Sequence, residues 1–262
     1  MKKYLFILKT ALKEQLQYLG NLLGGFIVFG LIVFVFLSLW KYIYSGQDVI
    51  HGYTINQLIW YIIMTELILF SARSYVITGE IKDDIKSGKI AYLLNKPYDY
   101  VIYIISKHFG TIIPNVISFT VFGFIIGNVY IGKLVTFKIE AVPFILITLL
   151  FGVIVITLIY ILIGLSSFWI EETSPFKWIF SKLLVVLGIT FPIEFFPKGL
   201  ATFVKYSPVY AITYAPAKML VDFSFDVFVD VVLAQGFYIV GLSLIITYVY
   251  SKGVRRVNVN GG

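Results

Sequence analysis

The chain has no cysteine. That excludes disulfide frameworks, thiolate metal sites and thiol catalysis. Only two histidines occur, His51 and His108, far apart and without a carboxylate at metal-site spacing, so no metal site is expected. Charge is scarce as well. Asp, Glu, Lys and Arg make up 13% of 262 residues, about half the share that covers a soluble domain. No phosphate-cradling loop is present, because Gly88-Lys89 runs into Ile90 and Gly132-Lys133 into Leu134 rather than a hydroxyl residue. No H-E-x-x-H occurs and no serine has a base close in sequence, so no catalytic residue is expected.

What is abundant is apolar. Hydrophobic residues form 59% of the chain and aromatics 18%. A surface this poor in charge needs lipid for most of its solvent, and the expected class is an all-α integral membrane protein. The net charge of +7 does not point to nucleic acid, because the cations are strung along the chain in a pattern that fits membrane orientation. Crossing the hydrocarbon core takes about 20 mostly apolar residues. Six stretches qualify: 24–44, 55–77, 105–126, 141–165, 178–196 and 227–250. With the N-terminus inside, fifteen Lys and Arg fall in inner connections and six in outer ones, which predicts both termini in the cytoplasm.

Residues 1–20 read as an amphipathic helix lying at the interface. Leu5, Leu8, Leu12, Leu16 and Leu19 recur at helical spacing, while Lys2, Lys9, Lys13 and Gln17 take the other side. The apolar run before Lys9 is too short for the core of a cleavable signal. Residues 191–216 are aromatic and broken by Pro192, Pro197, Pro208 and Pro216, which predicts short helices in an outer cap or a re-entrant hairpin.

Inside the spans, ionisable groups are few. Glu66 stands near the middle of the second, with Arg73 two helical turns on and pointing the same way. Asn115, Ser118 and Thr120 in the third read as helix glue as readily as pathway lining, and Gly123-x-x-x-Gly127 permits close helix approach. The 24 Phe, 19 Tyr and 4 Trp suit an amphiphilic or cationic solute and equally suit lipid contact.

The densest charge lies in GEIKDDIKSGKIAYLLNKPYDY, Gly79–Tyr100, between the second and third spans. Thr78 is placed to cap a short helix, with Glu80, Asp83 and Asp84 on one side, Lys82 and Lys86 on others, Ile81 and Ile85 sharing a face, and Gly88 stopping it. A short surface helix held at both ends by spans suits docking to a soluble partner.

The pattern E-I-x-x-D-I-x-x-G-x-I-x-x-L-L-x-K-P-x-D from Glu80 to Asp99 resembles the first cytoplasmic loop of ABC-2 type permeases. It is most similar to the six-span subfamily that includes viologen-type exporters. FPIEFFP at 191–197 and YSPVYAITYAPAKML at 206–220 resemble that subfamily's aromatic segment before the last span. Through span number and loop sizes the resemblance covers nearly the whole chain. It implies a non-enzymatic permease subunit in the cell membrane of a prokaryote. Two such chains, identical or related, would pair, each with a separate cytoplasmic ATPase that binds ATP and magnesium; this chain would hold no cofactor. Residues 78–96 would be the coupling loop, with Glu80, Ile81, Asp83, Asp84, Ile85, Lys86 and Gly88 meeting the ATPase. Glu66, Arg73 and Asn115 would lie along the pathway, and Glu194, Phe195 and Phe196 at an extracellular gate. The cargo of such an exporter, in multidrug efflux or otherwise, would be an amphiphilic or cationic drug, a lipid or a peptide. The competing expectation is an ion-coupled carrier or channel with Glu66 as its key acid.

Overall fold

Where apolar residues run unbroken, the backbone in lipid has no choice but to satisfy its own hydrogen bonds, and it forms helices. The computed structural model describes residues 2–18, 20 and 22–260. The helices, in chain order, are α1 (Lys2–Gln17), α2 (Leu22–Ile43), α3 (Ile55–Ala72), α4 (Tyr75–Lys86), α5 (Lys89–Leu94), α6 (Tyr100–Tyr130), α7 (Val142–Leu165), α8 (Ser174–Leu184), α9 (Lys198–Lys205), α10 (Ala215–Val221) and α11 (Phe225–Asn260). Among the described residues one two-stranded hairpin, β1 (Val49–Ile50) against β2 (Tyr53–Thr54), joins α2 to α3.

Five helical runs are long and apolar enough to cross a membrane: Leu22–Ile43, Ile55–Lys86, Tyr100–Tyr130, Ile139–Phe168 and Phe225–Arg256. The stretch expected at 178–196 is different. Its helix starts earlier, at Ser174, passes into a π turn at Val185–Ile189 and stops there. Sixteen residues rise about 24 Å, short of the roughly 30 Å hydrocarbon core. Pro192 and Pro197 prevent continuation, and the chain goes on as a 3-10 turn at Ile193–Phe195 flanked by extended backbone.

The second run also departs from expectation. It is not continuous through residue 77, because Arg73 takes a left-handed conformation (φ 44°) that ends α3, and α4 begins at Tyr75. At the other end of α3, Thr54 and Gln57 form a reciprocal capping box, with each side chain accepting from the other's backbone N–H.

α3 and α7 are the most buried of the long helices, and α2 and α11 the most exposed. α3 packs on α2, α6 and α10; α7 packs on α11, α4 and α10. Phe26, Phe29, Phe70, Phe119 and Phe122 interleave where α2, α3 and α6 meet. α1 lies lengthwise along α6. Tyr4 accepts from the Asp99 N–H, Gln15 donates to Asn115 at 2.9 Å, and Gly110 sits directly under Leu8 and Ala11. Of the expected leucine stripe, Leu8 and Leu12 are half-buried, Leu5 and Leu16 are exposed, and Leu19 lies outside the described residues. The packed face is shifted by one side chain, to Tyr4, Ile7, Leu8, Ala11 and Gln15.

Residues 198–221 form a hairpin wedged among these helices. Tyr206, at its tip, accepts through its carbonyl from Tyr238, thirteen residues into α11 and so about 20 Å along it. The return limb passes Ala211, whose carbonyl accepts from buried Gln235, and ends at Val221, whose carbonyl accepts from Gln57 at the start of α3.

Candidate functional site

α4 and α5 lie at the end of the bundle where Arg73 breaks the helix, and their two faces have opposite chemistry. Ile77 and Ile81 are buried, with Ile81 keyed into α7: a Cβ added at Gly164 would stand 2.9 Å from the Ile81 Cβ. Thr78 does not cap the helix. It lies inside α4 and donates to the Tyr160 carbonyl of α7 at 3.0 Å, while Ser74 occupies the cap position and its side chain does not cap the helix. Gly88 takes φ 74°, a left-handed conformation that favours glycine, and so ends one helix and starts the next.

The charged residues separate by face. Asp84 points inward and is buried; it accepts from the Tyr100 hydroxyl at 2.9 Å and pairs with Lys89 at 2.8 Å. That hydrogen bond raises the Lys89 pKa above its ordinary value. Glu80 is partly buried and pairs with Lys107 of α6 at 2.6 Å. Asp83, Lys86, Ser87, Lys89 and Tyr92 are exposed, and Ile85 is half-buried. The surface left for a partner is therefore Asp83, Lys86 and Tyr92 with the rim of Ile85; Ile81 and Asp84 hold the helix to the bundle from behind.

Lys82 reaches across to Glu172, in the connection between α7 and α8, at 2.7 Å. Hydrogen bonds from Lys82 and Ser174 depress the Glu172 pKa to about 2. A depressed carboxylate contributes its tether fully above its ordinary pKa of 4.5 and loses it as the pH falls through about 2. Both groups are partly solvated, so the effect on total stability is small. Glu172→Gln at neutral pH is expected to reproduce the acid effect. Amide exchange in 78–86 should then rise several-fold with the melting temperature nearly unchanged; an unchanged exchange rate refutes the tether.

Deeper in the bundle, the expected pathway residues do not converge. Glu66 is buried in α3 and, among the described residues, forms no ion pair. Arg73 does not share its face, since its left-handed backbone takes it out of the helical register. It lines a separate cavity of about 240 Å3 with Tyr160, Ser181 and Leu184. Asn115 spans three helices, donating to the Ser71 carbonyl of α3 and accepting from Gln15 of α1. A buried polar cluster that the sequence did not suggest joins α4, α6 and α7: Ser74 is 3.1 Å from His108 Nε2 and 3.4 Å from Thr157 Oγ1. Their separations of 34 and 83 residues leave no sequence signal.

At the opposite end of the bundle, Glu194 accepts from Tyr214 at 2.6 Å and pairs with Lys218 at 3.4 Å. Lys218 also reaches Asp222 at 2.8 Å and sits over the Tyr53 ring. Burial beside Glu194 raises the Tyr53 hydroxyl pKa well above its ordinary value. Phe195 fills a slot between Trp40, His51 and Tyr53, and Phe196 stacks edgewise on Phe191. This aromatic and ionic knot fastens the 198–221 hairpin to the start of α3.

Among the described residues no group of His, Asp and Glu is placed to hold a metal. Compared with known proteins, the chain matches a family model described as ABC-2 family transporter protein over residues 29–261. No curated protein matches it.

Proposed function

The chain belongs to the ABC-2 family of transporter proteins, and from that premise we propose that it is the membrane subunit of an ATP-driven exporter, with α4 as the helix that engages a separate ATPase. The observation that carries this reading is the two-faced build of α4. It is broken from α3 at Arg73, anchored inward by Ile81 and Asp84, and leaves Asp83 and Lys86, with Tyr92 of α5 beside them, to a soluble surface. Its own residues offer no phosphate cradle. The work of ATP hydrolysis then enters as differential binding: the partner grips one position of α4 more tightly than another and shifts the spans between two arrangements.

In this reading α4 and both termini are cytoplasmic, and the Glu194–Lys218 knot closes the outer end of the pathway. A second chain, identical or related, pairs through the exposed apolar faces that α2 and α11 leave. The cargo is apolar or amphiphilic. The ion-coupled alternative rests on Glu66, a buried carboxyl group that forms no ion pair among the described residues. Co-expression with a P-loop ATPase subunit encoded alongside the chain separates the two. The expected result is a stable complex whose ATP hydrolysis is needed for transport and which tolerates Glu66→Gln. Transport by the chain alone, abolished by Glu66→Gln, would overturn the exporter reading in favour of the carrier.

A further inference from the structure

A second cavity lies away from α4. It occupies about 440 Å3, the size of a small-molecule site, between α3, α6 and α7 in the half of the bundle opposite α4. α6 and α7 each pack on α3 and stand apart from one another, so the space opens sideways between them. Its mouth is formed by Phe124, Leu146 and Phe137, all exposed.

One end of the cavity is built with care. Gly127 has no Cβ, and one placed there would collide with the Trp60 indole. The ring therefore lies flat across α6, and its Nε1 donates to the Gly132 carbonyl at 3.2 Å. That turns the connection after α6 over the cavity and sets Lys133 at its rim, near Asn128. Lys133 is exposed and, among the described residues, pairs with no carboxylate. The rest of the lining is apolar except for Thr120.

We propose that this cleft binds one acyl chain of an anionic phospholipid from the leaflet opposite α4, with the headgroup phosphate on Lys133. Length, polarity and charge agree. From Val116 to Asn128 the cleft follows α6 for about 18 Å, close to one leaflet of a hydrocarbon core roughly 30 Å thick. An apolar hollow at that depth offers water too few polar partners to be filled by it. A lone cation at the headgroup level attracts a phosphate that a net-negative lipid leaves uncompensated. The site is independent of the partner proposed for α4, so the failure of either leaves the other standing.

Native mass spectrometry of the full chain, titrated with phosphatidylglycerol or with phosphatidylcholine of the same chains, tests the assignment. One phosphatidylglycerol per chain is expected, at least tenfold tighter than phosphatidylcholine. Lys133→Glu should erase that preference, and Leu146→Trp, which fills the mouth, should lower retention of both lipids. Lys138→Glu, on the same connection but off the cavity, should change neither. Equal affinities in the wild type, or a preference that survives Lys133→Glu, overturn the proposal. So does a second copy of the chain held through the same face, seen as a dimer that Leu146→Trp dissociates. Lys133→Glu alters an exposed side chain and keeps the test valid even if Leu146→Trp does not fold.

Discussion

Combined Asp83→Lys, Lys86→Glu and Tyr92→Ala is expected to leave the chain folded and to abolish capture of the ATPase subunit, whereas Ile81→Asp is expected to unfold the α4–α7 contact. Ile81, Asp83 and Lys86 belong to the twelve-residue α4 and Tyr92 to the adjoining α5, but the two variants change opposite environments. Asp83, Lys86 and Tyr92 are exposed, so changing them removes nothing from the core and costs about 0.5 kcal/mol or less each. At an interface, reversed charges and a lost aromatic anchor cost about 2 kcal/mol or more, roughly a 30-fold loss of affinity. Ile81 has no exposure and meets the backbone of α7 at Gly164. A carboxylate there has no partner and costs about 4 kcal/mol or more. The fraction remaining monodisperse after heating, measured beside ATPase pull-down, separates the outcomes. Full capture by the triple variant would remove α4 from the proposed contact.

The second large effect is expected at Gly110. A Cβ there would stand 2.7 Å from that of Ala11 and closer still to the Leu8 carbonyl oxygen. Neither obstacle is the end of a flexible side chain. Gly110→Ala should therefore cost about 1–3 kcal/mol, and Gly110→Leu should drive α1 off α6 altogether. The same substitution at Gly79, inside α4 with nothing within 4 Å of its Cβ, should stabilise by about 0.5–1 kcal/mol. Cysteine pairs are free to report on this, because the chain has none of its own. A flexible bis-maleimide joining Cys in place of Tyr4 to Cys in place of Tyr98, next to the Asp99 N–H that the Tyr4 hydroxyl reaches, should cross-link the parent and fail in Gly110→Leu. Retained cross-linking would show that α1 is held by something other than the close approach at Gly110.

Most of the long helices were legible because one physical requirement, internal satisfaction of the backbone in lipid, is written directly into apolar runs. The early stop of the helix that begins at Ser174 was half legible: Pro192 and Pro197 announce an end, but the π turn at Val185–Ile189 follows from packing of Gly188 against Val209 and Thr213. The break at Arg73 was not legible, since arginine has no preference for the left-handed region and the turn is imposed by what surrounds it. The inward turn of Asp84 was hidden for a similar reason. Its charge is visible in the sequence, but the Tyr100 hydroxyl that makes its burial tolerable belongs to the next long helix. Counting charges found the polar segment; only the neighbours on α6 and α7 tell which of its residues face out. The Ser74–His108–Thr157 cluster shows the limit most plainly, because each member is unremarkable alone.

The left-handed residue at Arg73 also fixes where a mechanical input goes. A straight helix from Ile55 to Lys86 would conduct any push on its exposed end along its own axis into α3. With a swivel between them, α4 is a crank whose fulcrum is α7: the Ile81 side chain sits in the notch at Gly164, and Thr78 hangs on the Tyr160 carbonyl. If a partner loads α4 as proposed, the load would meet α7 first, and through it α11, because α4 packs on α7 and α7 on α11.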